Sequence, residues 1–290
     1  MVGLGLNDSD DAILKYLGYL TGHIPVKTAR FVHVIPAIYL FDRKNGAESY
    51  QFEKYDLKQE AADGVAAKIA THISSKNKVA VEFDVRDGDP LDELMQSAES
   101  ADADLIVIGK NTKRDHHGIL AKNFARKVKS NALLVPDKAK LALRNIVVPV
   151  DFSPNSIEAL RTAVAVSKCY EKPPVITALN VFEMPIFQAY LVRKSLDEMR
   201  RILMEDRQSA FRSFLDTYLL PEDRKRVKTA IVEQTHPGVG NFIMDHAVDN
   251  KADLIVMGAK GHSKIGLLLM GSVTEKILEL TKRIPVLVVK

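Results

Sequence analysis

The 290-residue chain holds a single cysteine, Cys169. That excludes an internal disulfide and any multi-cysteine metal site, and it fits a reducing compartment. Net charge is small, +4 at pH 7. This permits an anionic ligand but is no argument for nucleic acid. No apolar run approaches the ~18 residues that a membrane helix needs. The first eleven residues lack a basic start and a long apolar stretch, so they do not read as a signal peptide. A cytoplasmic protein is expected, with no membrane partner, no nucleic acid and no metal site. There is no Gly-x4-Gly-Lys-Ser/Thr loop, which excludes a P-loop nucleotidase. No Gly-x-Ser-x-Gly elbow occurs either. Hydrophobic residues make up 46% and charged residues 27%, which excludes a disordered or fibrous chain.

What the chain does have is an internal repeat. Ala103-Asp-Leu-Ile-Val-Ile-Gly109 returns as Ala252-Asp-Leu-Ile-Val-Met-Gly258. Amphipathic stretches precede both copies, with Leu91, Leu94, Met95 and Ala98 in one and Phe242, Ile243 and Ala247 in the other. Apolar runs follow both copies, at residues 132–136 and 285–289. The starts of the halves match less well. Set against each other, residues 2–7 and 146–151 put Asn7 where Asp151 stands. Two homologous domains are expected, residues 1–138 and 139–290.

In the second half, residues 145–150, 175–182, 227–232, 254–258 and 286–289 read as five strands. Ser153 and Pro154 open a helix between the first two. Leu196, Met199, Leu203, Ala210, Phe214 and Tyr218 mark a long helix at spacings of three, four and seven. The first half gives the same count, with a polar excursion at about residues 42–51. Strands alternating with helices predict an α/β fold: two Rossmann-like domains, each a five-stranded parallel sheet with helices on both faces.

In open parallel sheets, ligands bind beyond the carboxyl ends of the strands. After the fourth strand of the second half come Gly258, Gly261, Gly271 and Ser272. The glycines allow close backbone approach, and a helix starting at Ser272 presents free N–H groups to an anion. Lys260, His262 and Lys264 add cationic or donor groups. Asp151, ending the first strand, is placed to accept from an amino group or a ribose hydroxyl. Alternatives stand beside each reading. The glycines suit a tight turn, Ser272 and Glu275 form a Ser-x-x-Glu capping box, and Asp151 suits a helix cap. His116 and His117 with Asp115 lack a ligand set for a metal. His236-Pro237 reads as a turn, though its loop lies at the same sheet edge. Cys169 reads as a core residue on a helix, and Arg224 to Arg226 as a solvated loop.

The second half resembles the universal stress protein family, whose nucleotide signature is Gly-x2-Gly-x9-Gly-Ser/Thr. Gly258, Gly261, Gly271 and Ser272 meet every spacing, and the likeness covers the chain as two tandem domains. The resemblance implies an adenine nucleotide alpha hydrolase-like fold. It also implies ATP, with or without magnesium, held in the second domain. The implied contacts are Asp151 near base and ribose, the backbone of Val181 on adenine, and Gly271, Ser272, Val273 and Thr274 on ribose and phosphates. Pro149, Met257, Gly258, Gly261 and His262 complete the implied site. The first half departs from the pattern. Thr112 stands at the second glycine, and Lys122 and Asn123 stand where Gly271 and Ser272 do. It is read as a degenerate, non-binding copy with a basic loop.

The function expected from this resemblance is an ATP-binding stress-response regulator with little or no hydrolysis. The family's domains pair through their last strands, so a pseudo-dimer inside one chain is expected, open to homodimerisation, with no protein partner named. The alternatives are a slow ATPase or nucleotide-dependent transferase using His262 or His236, and a nucleotide-free interaction module. In the last case residues 184–190 would offer a partner surface.

Overall fold

The structure is a computed structural model, and it describes residues 1–7, 9–36, 39–42, 46–49, 57–73, 79–112, 122–184, 195–261 and 270–290. The chain divides into two compact units. The first comprises Met1–Ala142 with Lys282–Pro285, the second Leu143–Thr281 with Val286–Lys290.

The first unit runs β1 (Val2–Leu4), α1 (Ser9–Thr21), β2 (Thr28–Pro36), β3 (Tyr39–Asp42), β4 (Gly46–Ser49), α2 (Leu57–His72), β5 (Ala80–Gly88), α3 (Pro90–Ser100), β6 (Leu105–Lys110), a helix α4 at residues 122–127, and β7 (Asn131–Pro136). Its main sheet has the order β7-β6-β1-β2-β5, all parallel. The polar excursion contains a small antiparallel hairpin, β3 with β4.

The second unit runs β8 (Asn145–Pro149), α5 (Pro154–Lys168), β9 (Val175–Glu183), α6 (Leu196–Tyr218), α7 (Pro221–Arg224), β10 (Val227–Gln234), α8 (Val239–Asp249), β11 (Leu254–Gly258), α9 (Ser272–Leu280) and β12 (Val286–Val289). Its sheet, β10-β9-β8-β11-β12, is parallel throughout. Both units thus have the strand order 3-2-1-4-5 counted within the unit, the doubly wound arrangement. Ile146, Ile255, Val256, Val286 and Val288 are fully buried. Their near-continuous apolar runs arise because parallel strands are covered on both faces. Each such side chain contributes about 1.5–3 kcal/mol on burial. Helix α5 packs on β8, β11 and β12, and α8 packs on α9 and β9. Among the described residues no helix is long and apolar enough to cross a membrane.

Strand pairing corrects the register of the two starts. Val2 pairs with Val107, and Val147 pairs with Ile255. Val107 and Val256 hold the same place in the repeat, so Val2 corresponds to Val148. Gly5 therefore stands at the place of Asp151, and Asn7 at that of Ser153. The backbone agrees, since Leu6 (φ 52°) and Phe152 (φ 64°) carry the same left-handed turn. A second correction concerns Cys169. It is exposed at the end of α5, where its thiol meets the Ala165 carbonyl at 3.5 Å. Its neighbour Tyr170 turns inward instead.

Candidate functional site

A cavity of about 290 Å³ opens beyond the carboxyl ends of β8, β9 and β11 in the second unit. This is the switch point, where strand order reverses between β8 and β11 and where the fold leaves a crevice. Of the residues expected at the site, Pro149, Asp151, Val181, Met257, Gly258, Gly261, Gly271, Ser272, Val273 and Thr274 all line it. His262 lies outside the described residues, as do Lys264, the His116-His117 pair and residues 185–190. His236 is described but does not line the cavity; its ring packs on Phe242 at 4.4 Å.

The wall begins with the turn after β8. Phe152 sits in the left-handed region, which costs a non-glycine residue roughly 1–2 kcal/mol. Two features hold it there. Asp151 Oδ1 accepts from the Ser153 amide (3.0 Å) and the Ser153 hydroxyl (2.5 Å). The Phe152 ring meets Phe211 and Phe214 of α6 edge-on, at 5.1 and 5.4 Å. Ser153, not Asp151, caps α5 by accepting from the Ser156 amide. Gly261 packs directly on Asp151 Oδ2, so a Cβ there would displace the end of that side chain. Gly258 packs on Asn155, where a Cβ would lie 2.7–2.9 Å from its atoms. Gly258 is therefore demanded by the protein's own backbone packing.

Gly271 differs. Its φ is −77°, and among the described residues a Cβ there would meet nothing closer than 3.6 Å. It is the N-cap of α9 and supplies no side-chain cap. The Ser-x-x-Glu capping box is thus not formed, because the helix starts with Ser272 already inside it. Helix α8 likewise starts from a glycine, Gly238 (φ 113°), without a side-chain cap. The first N–H groups of a helix have no partner within it, so both termini keep their positive pole. The Thr274 hydroxyl donates to the Gly258 carbonyl (3.0 Å), fixing α9 to the end of β11. Lys260 lines the same end. The Lys290 ammonium is pushed down to about 8, first by burial and then by the charge of Lys260.

At the other end the cavity is apolar, with Val150, Leu179, Val239 and Ile243. The β8–β9 ladder ends at Pro149 and Leu179, and the Leu179 carbonyl accepts from the Val150 amide (2.8 Å). Two residues on, Val181 turns its N–H and C=O to the same side, past the end of β8. Asn180 donates Nδ2 to the Val150 carbonyl at 2.7 Å. Nothing in the sequence marked Asn180, Ser156, Val239 or Ile243 as lining residues, because helix entry angles decide which side chains turn inward.

The first unit has a smaller cavity, about 220 Å³, at the corresponding place. His33 there matches Asn180, and its Nδ1 donates to the Leu4 carbonyl at 3.0 Å. The glycine pole is missing. Thr112 donates to Asp137 (2.7 Å) at the second glycine position, and Lys122 and Asn123 do not line the cavity. Two carboxylates occupy the amide-rich ends instead. Asp10 accepts from the Gly5 (3.0 Å) and Asn7 (3.1 Å) amides, and Asp89 caps α3 through the Leu91 and Asp92 amides. Asp10 is 1% exposed. Burial raises its pKa, opposed by the amides of Gly5 and Asn7 and by the charge of Lys68. Among the described residues no His, Cys, Asp or Glu cluster is arranged to hold a metal.

Known proteins share this organisation. The model of the universal stress protein family matches residues 1–133 and again 142–290. A universal stress protein of Methanocaldococcus jannaschii is 31% identical over 148 residues, covering 51% of this chain and 82% of that protein. A solved universal stress protein from Archaeoglobus fulgidus superposes with a TM-score of 0.68 at 19% identity, over 100% of this chain and 95% of that one. That likeness speaks for the fold. With two matches covering nearly its whole length, the chain belongs to the universal stress protein family, as a tandem two-domain member.

Proposed function

We propose that the second unit binds ATP as a regulatory ligand in a stress-response protein, with little or no hydrolysis. The observation that carries this reading is Gly271. Among the described residues the packing leaves space for a side chain there, and a glycine at that place suits the approach of a ligand to the uncapped start of α9. A phosphate chain suits that pole, with Lys260 beside it. The apolar end and the outward N–H and C=O of Val181 suit a planar base. Among the described lining residues the ionisable side chains are Asp151 and Lys260. Asp151 already accepts from Ser153, so neither is set up as a general base for water. Magnesium would sit with the phosphates rather than on a protein cluster.

The test is to purify the full chain without added nucleotide, denature it and chromatograph the supernatant. About one adenine nucleotide per chain is expected, because one unit has the glycine pole and a tightly held ligand leaves slowly. The ATP:ADP ratio reports turnover. No nucleotide in the supernatant and no heat on titration with MgATP would leave a nucleotide-free interaction module.

A further inference from the structure

The first unit keeps a cavity without the groups that an anion needs. Its space of about 220 Å³ is walled by Leu4, Ile13, Val34, Leu94 and Ile108, each no more than 9% exposed. Protein interiors are close-packed, and an unfilled apolar space forfeits contacts along its walls. Among the described lining residues there is no Lys or Arg. Asp10 holds the amides of Gly5 and Asn7, so carboxylate takes the end where an anion would sit.

His33 supplies the polar feature. Its Nδ1 lies 3.0 Å from the Leu4 carbonyl. A carbonyl oxygen only accepts, so Nδ1 carries the hydrogen and Nε2 of the neutral ring is an acceptor. The ring lines the cavity and is partly exposed, and Nε2 has no hydrogen-bond partner among the described residues. Size narrows the ligand further. An apolar cavity of about 150 Å³ takes benzene, so this one suits a fused two-ring molecule.

We infer that the first unit binds an uncharged molecule of about two fused rings, its N–H donor on His33 Nε2, and that it rejects anions. The inference goes beyond the nucleotide reading and does not depend on it. Apolar walls grip the rings, while an accessible acceptor discriminates against an analogue without the donor.

Indole, benzofuran and indole-5-carboxylate test this on the full chain at pH 8. Benzofuran keeps the fused rings and lacks the donor; the carboxylate adds a negative charge. The chain has no tryptophan, so indole fluorescence reads binding, and displacement reads the other two. One equivalent of indole is expected to bind. Its affinity should exceed that of benzofuran at least about fivefold and that of the carboxylate at least about tenfold. Saturating MgATP should leave indole bound, and Leu94→Phe should weaken it at least about tenfold by filling the space. His33→Asn installs the second unit's residue, which there keeps a donor on the strand carbonyl and buries its oxygen. It should close the gap between indole and benzofuran, and His33→Leu should do the same if that variant fails to fold. Absence of indole binding overturns the inference, as do equal affinities for the three probes or a gap that survives at position 33. Indole displaced by MgATP, or held unchanged by Leu94→Phe, sits elsewhere and overturns it too. Failure of ATP alone to bind overturns the nucleotide reading and leaves this one standing.

Discussion

The two units place the same strand order and the same turn around two cavities, yet they finish the equivalent helices α3 and α8 in opposite ways. In the second unit, α8 and α9 start from Gly238 and Gly271 without side-chain caps. In the first, Asp89 caps α3 and Asp10 gathers the amides of the turn before α1. A side-chain cap stabilises a helix by about 0.5–2 kcal/mol. The second unit forgoes that stabilisation twice at one cavity and keeps two positive poles open. The first takes it at α3 and sets carboxylate at the amides an anion would need. Duplicated folds can diverge this way without touching the sheet, because the termini lie outside the core.

The strongest way to break this contrast is to give the second unit the first unit's residue. Gly271→Lys should weaken ATP at least about a hundredfold, since the helix pole is blocked. The melting temperature should move by no more than about 2 °C, as the backbone there is ordinary and the described neighbours leave space. Calorimetry and thermal melting check the two halves of that expectation. A variant that binds normally would remove Gly271 from the site.

Next in size is Asp10→Ser, which installs the residue found at the matching place, Ser156. The amides of Gly5 and Asn7 lose their acceptor. About 1–3 kcal/mol of stability should go, read as an earlier urea transition. Nucleotide stoichiometry should stay at one, since the glycine pole is still missing. A second equivalent of ATP would mean that Asp10 alone was closing the first cavity.

The smallest difference is in pH response. His246 of α8 stands where α3 has Ser97. Its pKa is lowered by burial, against an opposing contribution from Asp249. The unfolded chain therefore takes up the proton first. Stability is lost as pH falls below about 6.5. His246→Ser should flatten this part of the curve, measured as melting temperature between pH 7 and 5. An unchanged slope would assign it to other groups.

Much of this was legible in the sequence, for identifiable reasons. The buried parallel strands leave continuous apolar runs, so residues 254–258 and 286–289 read directly. The glycine spacing located one wall of the cavity. The register of the two starts did not read, because an apolar run ending in a polar residue fixes no partner. Only the pairing of Val2 with Val107 does so. The capping box also misled, since Ser272 and Glu275 have the right spacing but the helix begins one residue too early for them. Cys169 failed for a related reason. At the last turn of α5 one residue of rotation separates core from solvent, and Tyr170 takes the inner place.

The uncapped start of α9 has a quantitative consequence if nucleotide is held there. Ligand held there would stabilise the second unit by about 1.4 kcal/mol for each tenfold rise above its dissociation constant. Resistance to unfolding and proteolysis in that half would then climb with the logarithm of nucleotide concentration, without threshold or cooperativity. The capped half would stay constant and serve as an internal reference within the same polypeptide.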